Sequence, residues 1–369
     1  MRVCVTGGTG FLGAHIVRLL CERGDEVQLA CRNPERLGAL TDLGTRRVQA
    51  DIRDYRSLRR AFKGAEVVIH TAGYVGSRPV DRAWHLNAKG PLVAVEAAAA
   101  AGCRRLALTS SISAIGPPGD GLPADERTRY PRDWMGLTYP DSKHEGERLA
   151  LDAAARRDIE LVVVNPGYLI GPPLDRAQAS RTSARIVGSY LRGRLPAVIA
   201  APMNFVDVED VAEGHLLAAE HGRTGERYIL GGRNTTWPAL IDRVAKLSDV
   251  HHPVLVLPRE VARLARLRDT LGLPGLIAAE GYELMAQDWR FSSAKAKREL
   301  GYRARPLDQT LRNTIDWYMD LIEHRAFDNA HRSSLSTLAT GTRALGKLGL
   351  LAPLKLGQRI VGRQAIAGV

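Results

Sequence analysis

The chain opens on a short apolar run, Val3-Cys4-Val5, that stops at glycines and gives way to apolar residues at helical spacing (Ala14, Ile16, Val17, Leu19, Leu20). The same rhythm then repeats. Apolar runs at 27–31, 47–50, 67–70, 105–110 and 161–165 predict strands, and the stretches 14–22, 55–62, 91–101 and 142–155 predict helices between them. Strands alternating with helices make crossover units and hence a parallel sheet. Unbroken runs such as Val67-Val68-Ile69 and Leu161-Val162-Val163-Val164 suit strands covered on both faces. Such sheets bind ligands outside the carboxyl ends of their strands, so the residues ending each strand are the candidates for chemistry.

Composition narrows the class. The 369 residues are 45% hydrophobic and 25% charged, as in an ordinary globular enzyme with one large domain or two interlocked ones. Cys4, Cys21, Cys31 and Cys103 are scattered without metal-ligand spacing, which argues against a metal site and fits a reducing cytoplasm. With a strand starting at residue 2, no leader peptide is expected, and no apolar run approaches the about 18–20 residues that span a bilayer. Of the net charge of +12, six charges come from Arg332, Arg343, Lys347, Lys355, Arg359 and Arg363, in a tail with no acid. The rest is dispersed, and no nucleic-acid recognition module accompanies it.

Gly7, Gly10 and Gly13 fall between the first strand and the first helix, where bare backbone and a helix N-terminus cradle a dinucleotide pyrophosphate. At the end of the second strand, where an acid would bind the ribose hydroxyl of NAD, the chain has Ala30-Cys31-Arg32-Asn33 and then Arg36. Arginine without a carboxylate favours a 2′-phosphate, so NADP(H) is expected over NAD(H). Asp51-Ile52 reads as an adenine edge or as a turn, and His70 as a structural histidine at a strand end. Tyr139 and Lys143, four apart, share one helix face, with Pro140 expected as the first helical residue. Positive charge nearby favours the phenolate, so Lys143, helped by the nicotinamide ring of an oxidised cofactor, is expected to lower the Tyr139 pKa and fit it for proton exchange with a carbonyl oxygen. Ser111, at the end of the fifth strand, is expected to bond the same oxygen, and Asn87 to orient a relay water or to cap a turn.

These motifs together resemble the extended branch of the short-chain dehydrogenase/reductase superfamily, the NAD-dependent epimerase/dehydratase family. The resemblance rests on Thr6-Gly-Gly-Thr-Gly-Phe-Leu-Gly13, Asp51-Ile52, His70-Thr-Ala-Gly73, Asn87, Thr109-Ser-Ser111, Tyr139-Pro-Asp-Ser-Lys143, Asn165-Pro-Gly-Tyr-Leu-Ile-Gly-Pro172, Asn204–Ala212 and Gly225–Gly232 in order. It covers about residues 1–325 and is strongest toward dihydroflavonol-4-reductase-like and hopanoid-associated sugar epimerase-like proteins. It implies a Rossmann doubly wound parallel sheet with a smaller, discontinuous C-terminal substrate domain, in which 1–167 with 205–236 bind the cofactor and 168–204 with 237–326 bind substrate. It further implies cofactor contacts at Gly7, Thr9, Gly10, Phe11, Leu12, Arg32, Asp51, Ile52, Thr71, Ala72, Gly73, Thr109, Tyr139, Lys143, Pro166, Gly167 and Leu169. Ser111 is implied as the catalytic serine, five residues before Gly116, ahead of Ser110 and Ser113. A homodimer is a further implication.

Tyr74, Ser113, Tyr168, Tyr190 and Asn204 are candidates to touch substrate. Residues 258–277 alternate apolar and basic positions and are read as a surface helix. Residues 327–369 are read as a basic extension, either disordered or touching an anionic membrane. The leading functional expectation is an NADP(H)-dependent reductase/dehydrogenase acting on a ketone or secondary alcohol of an apolar small molecule. The runner-up is an epimerase or dehydratase of a sugar or nucleotide sugar, and a non-catalytic NADP-binding regulator is the third reading.

Overall fold

The computed structural model describes residues 1–119, 121–271, 279–324, 339–344, 351, 358 and 363–369. The first half runs β1 (Arg2–Thr6), α1 (Phe11–Glu22), β2 (Glu26–Cys31), β3 (Arg46–Gln49), α2 (Tyr55–Phe62), β4 (Val67–His70), α3 (Val80–Trp84), α4 (Gly90–Ala100), β5 (Arg105–Thr109), α5 (Thr138–Arg157) and β6 (Glu160–Pro166). It continues through β7 (Tyr168–Ile170), α6 (Arg185–Leu191), β8 (Ala197–Ile199), β9 (Pro202–Asp207), α7 (Val208–His221), β10 (Arg227–Leu230), β11 (Arg233–Thr236), α8 (Trp237–Ser248), β12 (Val254–Leu257), α9 (Val261–Thr270), α10 (Ala279–Ala286), α11 (Ala294–Leu300), α12 (Leu307–Glu323) and β13 (Ile366–Ala367). The chain divides into two compact units.

The first unit comprises Met1–Tyr168, Val206–Gly232 and Phe291–Arg305. It holds a seven-stranded sheet in the order β10-β6-β5-β4-β1-β2-β3. All its pairings are parallel, as the crossover pattern requires. Strand order reverses at β1, the place where doubly wound sheets open a crevice. Thr6 is in register with His70 of β4, His70 with Leu108 of β5, and Thr109 with Val164 of β6, so these strand ends share one edge. Beneath it, Cys4, Leu58, Phe62, Val68, Val95, Leu106 and Leu161 form a dry core. Burying a side chain such as Phe62 contributes roughly 1.5–3 kcal/mol. On that face α4 presents Ala94, Ala97 and Ala98, and α5 presents Ala150, Ala153 and Ala154, small residues that let two helices lie close to the sheet.

Residues 291–305, expected with the substrate pieces, belong to this first unit. Ser293 exchanges hydrogen bonds with the backbone of Gly231 at 2.9 and 3.1 Å. Lys295 donates to the Arg227 carbonyl at 2.8 Å, and Arg305 pairs with Asp210 of α7 at 2.6 Å. These long-range polar ties leave no periodic trace in sequence.

The second unit comprises Leu169–Phe205, Arg233–Arg290 and Pro306–Val369. Its described strands make two small sheets, β11-β9-β7 and β13-β12-β8. Trp237 packs edge-on against Phe205 with ring centroids 5.0 Å apart, and the buried Tyr318 donates to the Ala179 carbonyl at 2.7 Å. Residues 261–270 of the amphipathic stretch form α9. Ala262 and Ala265 are buried there, while Leu264 and Leu267 are 66% and 58% exposed. Residues 272–278 lie outside the described residues.

The tail departs from expectation at its end. Ile366 and Ala367 add an antiparallel strand to β12 and are fully buried. The Gly368 N–H and the Gln364 amide both donate to the Asp242 carboxylate at 2.7 Å. Leu345, Leu348, Leu354, Leu356, Ile360 and Val361, the apolar positions of the supposed membrane-touching segment, lie outside the described residues.

Candidate functional site

The glycine turn joins β1 to α1, and its shape depends on missing side chains. Gly7 has φ +72°, and a Cβ there would lie 2.6 Å from the Ala72 nitrogen. A Cβ at Gly13 would lie 2.2 Å from the Gly7 carbonyl oxygen. Gly10, by contrast, is the exposed N-cap of α1, and a Cβ there would meet only that same oxygen at 3.1 Å. Space is therefore left open where the unpaired amides of the first helical turn point. The turn fits a dinucleotide pyrophosphate. Thr9 and Phe11 are half-buried beside it, and Leu12 is buried.

At the neighbouring strand ends, Arg32 and Arg36 are exposed after β2. The Asp51 carboxylate is held by the Arg53 guanidinium at 2.7 and 3.0 Å, which with Arg32 keeps its carboxyl below the usual range. Asp51 thus shapes a turn, and Ile52 packs toward Gly90. Two expected cofactor hydroxyls are occupied. Thr71 donates to the Thr6 carbonyl at 2.8 Å, and Thr109 lies 2.9 Å from His215 Nε2. Because His215 Nδ1 faces the Val211 carbonyl at 2.7 Å, Nδ1 carries the proton and Nε2 accepts from Thr109. Only the Thr109 carbonyl turns to the site, 3.4 Å from Lys143 Nζ. His70 is fully buried with Thr6 at 2.9 Å and, pushed down to about 3 by burial, stays neutral.

Tyr139 and Lys143 stand on the first turns of α5. The helix starts at Thr138, so Pro140 is its third residue rather than its first. Proline is tolerated there because N–H groups of the first turn lack intrahelical partners. Asp141 anchors this end. Its buried carboxylate accepts from the Tyr130 hydroxyl at 2.6 Å and from the N–H groups of Met135 and Leu137 at 3.0 Å. An acid in a first helical turn was the available signal for that role.

The Tyr139 hydroxyl bonds the side chains of both Ser111 and Ser113, whereas the buried Ser110 hydroxyl has no partner. Burial raises the Tyr139 pKa, and Ser111 and Ser113 draw it down in part. In the protein alone, without the charged nicotinamide on which the expectation also relied, Tyr139 is the neutral acid. Lys143 is brought down to about 8 by burial, opposed by the Glu147 carboxylate. A Cβ on Gly73 would lie 3.2 Å from Lys143 Nζ and 3.3 Å from Asn87 Oδ1, so glycine lets both groups approach that backbone.

The Asn87 side chain takes the turn-holding part of its two expected roles. It is buried in a π-turn at His85–Lys89. Its Oδ1 accepts from the Tyr74 N–H at 2.8 Å, and its Nδ2 donates to the Tyr74 carbonyl at 2.9 Å and to Ser142 at 3.2 Å. With both N–H bonds used, Asn87 clamps the Tyr74 backbone. Helix α5 reaches this turn closely, since a Cβ on Gly146 would fall 1.9 Å from the Asn87 carbonyl oxygen.

The substrate candidates separate. Tyr74 is half-buried with the Arg82 guanidinium 4.8 Å over its ring, and Ser113 lies beside Tyr139. Tyr168 is half-buried after Pro166 and Gly167, and the Leu169 carbonyl accepts from Ser183 at 2.6 Å. Tyr190 and Asn204 are corrections, since both are fully buried. Tyr190 donates to the carbonyls of Val250 and Gly368 at 2.8 and 3.0 Å, and Asn204 donates to Asn234 of β11 at 2.7 Å. Among the described residues no group of histidine, cysteine and carboxylate side chains is arranged to hold a metal.

Comparison with known proteins agrees with this geometry. The profile of the NAD dependent epimerase/dehydratase family matches residues 3–231. A dihydroflavonol 4-reductase-like protein of Synechocystis sp. is 32% identical over 86% of this chain and 94% of its own length. Sterol demethylase protein B of Methylococcus capsulatus is 30% identical over 87% of this chain and 99% of its own length. The crystal structure of gox2253 superposes with a TM-score of 0.78 at 30% identity, covering 89% of this chain and 99% of that one. The chain belongs to the NAD-dependent epimerase/dehydratase family.

Proposed function

We propose that this NAD(P)-dependent oxidoreductase uses NADP(H) to interconvert a ketone and a secondary alcohol on an apolar small molecule. The observation that carries the reading is the Tyr139 hydroxyl bonded to two serine hydroxyls at the strand edge that also holds the glycine turn. Bound there, the nicotinamide would supply or accept hydride; Gly7, Gly10 and the α1 N-terminus would hold its pyrophosphate and Arg32 its 2′-phosphate. Ser111 orients the substrate oxygen and stabilises charge developing on it. Tyr139, neutral in the buried site, gives that oxygen its proton, and the Lys143 ammonium steadies the tyrosinate left behind. The named relatives support small apolar substrates, one being dihydroflavonol 4-reductase-like and another a sterol demethylase protein.

The family profile favours one second reading, epimerisation or dehydration of a sugar, in which the cofactor ends unchanged. Titration with NADPH and NADH, followed by ketones and nucleotide sugars, separates the two. Stoichiometric loss of NADPH with a ketone supports reduction; an altered sugar with no net loss supports the second reading. Tyr139→Phe should abolish turnover while NADPH still binds, and surviving turnover refutes the assignment. Peripheral membrane contact belongs to the basic tail on the sequence reading, and α9 offers a second basic and apolar surface, with exposed Leu264 and Leu267 beside Arg263 and Arg268. Flotation with anionic and with zwitterionic vesicles tests that contact.

A further inference from the structure

Four residues beyond Lys143, on the same face of α5, lies Glu147, a carboxylate only 4% exposed. A buried carboxylate is stable only when paired, and this one has two partners from the sheet. Asn165 Nδ2 of β6 donates to one oxygen at 2.9 Å, and Arg227 of β10 lies 3.3 Å from the other. The same Asn165 nitrogen also donates to the Ser111 carbonyl at 2.9 Å. One buried carboxylate therefore reaches the serine through Asn165 and the lysine through its charge.

We propose that Glu147 is the positioning residue of this site, fixing the Ser111 backbone through Asn165 and presenting its charge to Lys143 one helical turn away. The inference rests on the proposed roles of Ser111 and Lys143. Around Lys143 the groups are Glu147 and Tyr139 on α5, neutral His70 on β4, the Thr109 carbonyl on β5, Asn87 from the π-turn and, behind Glu147, Arg227 on β10. Glu147 is the one negative charge among them. Burial alone drives Lys143 toward the free amine, and the Glu147 carboxylate opposes it.

The test reads Lys143 directly. Trace acetic anhydride acylates only the free amine, so the pH dependence of Lys143 labelling, followed by mass spectrometry of its peptide, gives its titration midpoint without turnover. Glu147→Gln, which keeps the shape and loses the charge, should lower that midpoint by on the order of 1 pH unit. The alkaline fall of kcat/KM should shift with it, costing about threefold near pH 7.5 by protonated fraction alone. Glu147→Asp should keep the midpoint. Asn165→Ala should lower kcat roughly tenfold or more, because the Ser111 backbone loses its support and Glu147 loses one of its two partners.

An unchanged midpoint in a folded Glu147→Gln protein overturns the proposal. So does an unchanged kcat in Asn165→Ala, the deciding variant if Glu147→Gln fails to fold. If the wild-type protein turns over no ketone, or Tyr139→Phe still does, the catalytic reading fails instead. The labelling midpoint then still decides whether Glu147 governs Lys143.

Discussion

The Ser113 hydroxyl donates to the Ser111 oxygen over 2.9 Å, and the Ser113 backbone N–H reaches the same oxygen at 3.2 Å. With two donors on its oxygen, the Ser111 hydroxyl keeps its own proton for Tyr139 or a substrate oxygen. Ser111→Ala should therefore cost about 10²–10³ in kcat, as the loss of an oxyanion donor does. Ser113→Ala should cost roughly tenfold, since it removes the donor to Ser111 and one of the two partners of Tyr139 but leaves Ser111 for the substrate oxygen. If single-turnover rates fall as far for Ser113→Ala as for Ser111→Ala, the order of the two serines is wrong.

On the proposed reading, cofactor choice turns on Arg32. Its exposed guanidinium follows β2, and the nearest carboxylate on that edge, Asp51, is occupied by Arg53. A charge-assisted bond to a phosphate contributes about 1.5–3 kcal/mol, roughly 10–100-fold in affinity. Arg32→Ala should weaken NADPH by that factor and leave NADH nearly unaffected. Fluorescence titrations that weaken both cofactors equally would locate the 2′-phosphate elsewhere.

What was legible in the sequence is what is local. The strand before Gly7, the helix after Gly10 and the Tyr139–Lys143 spacing are short-range patterns, and the structure gathers Ser111, Tyr139 and Lys143 at one sheet edge. What was missed depends on distant partners. Asn87 looked free to orient water, yet Gly146 admits α5 so closely that the amide is used on Tyr74 and Ser142. Tyr190 looked like a pocket residue because tyrosines often line pockets, but its hydroxyl is spent on Val250 and Gly368. In the protein alone burial outweighs the neighbouring donors and raises the Tyr139 pKa, and burial cannot be read from spacing.

Two of the buried histidines tie stability to pH. His70 and His215 are both desolvated, with pKa values lowered to about 3 and about 4. Unfolded, each takes up a proton near pH 6.5. Between that value and the folded one the unfolded state binds more protons, so stability rises with pH and is lost as pH falls. Each histidine should cost about 1.4 kcal/mol per pH unit below roughly pH 6.5. Urea melts between pH 7 and 5 should show this slope, with His215→Asn removing its share. An identical slope in that variant would place the acid sensitivity in other groups.

The last residues behave as a structural strand, and truncation can show it. Removing residues 363–369 takes away the pairing of Ile366 and Ala367 with β12 and both donors to Asp242, and it leaves Tyr190 with one carbonyl fewer. Burial of Ile366 alone contributes about 1.5–3 kcal/mol, and the lost hydrogen bonds about 0.5–1.5 kcal/mol each. The truncated protein should unfold several degrees lower, with the loss concentrated in the second unit. Hydrogen exchange should then rise in β12 and α8, while NADPH affinity changes little because every proposed contact except Leu169 lies in the first unit. A tail serving only as a membrane tether would give the opposite pattern, an unchanged melting temperature and lost vesicle binding. That outcome would mean the β12–β13 pairing contributes nothing to the fold.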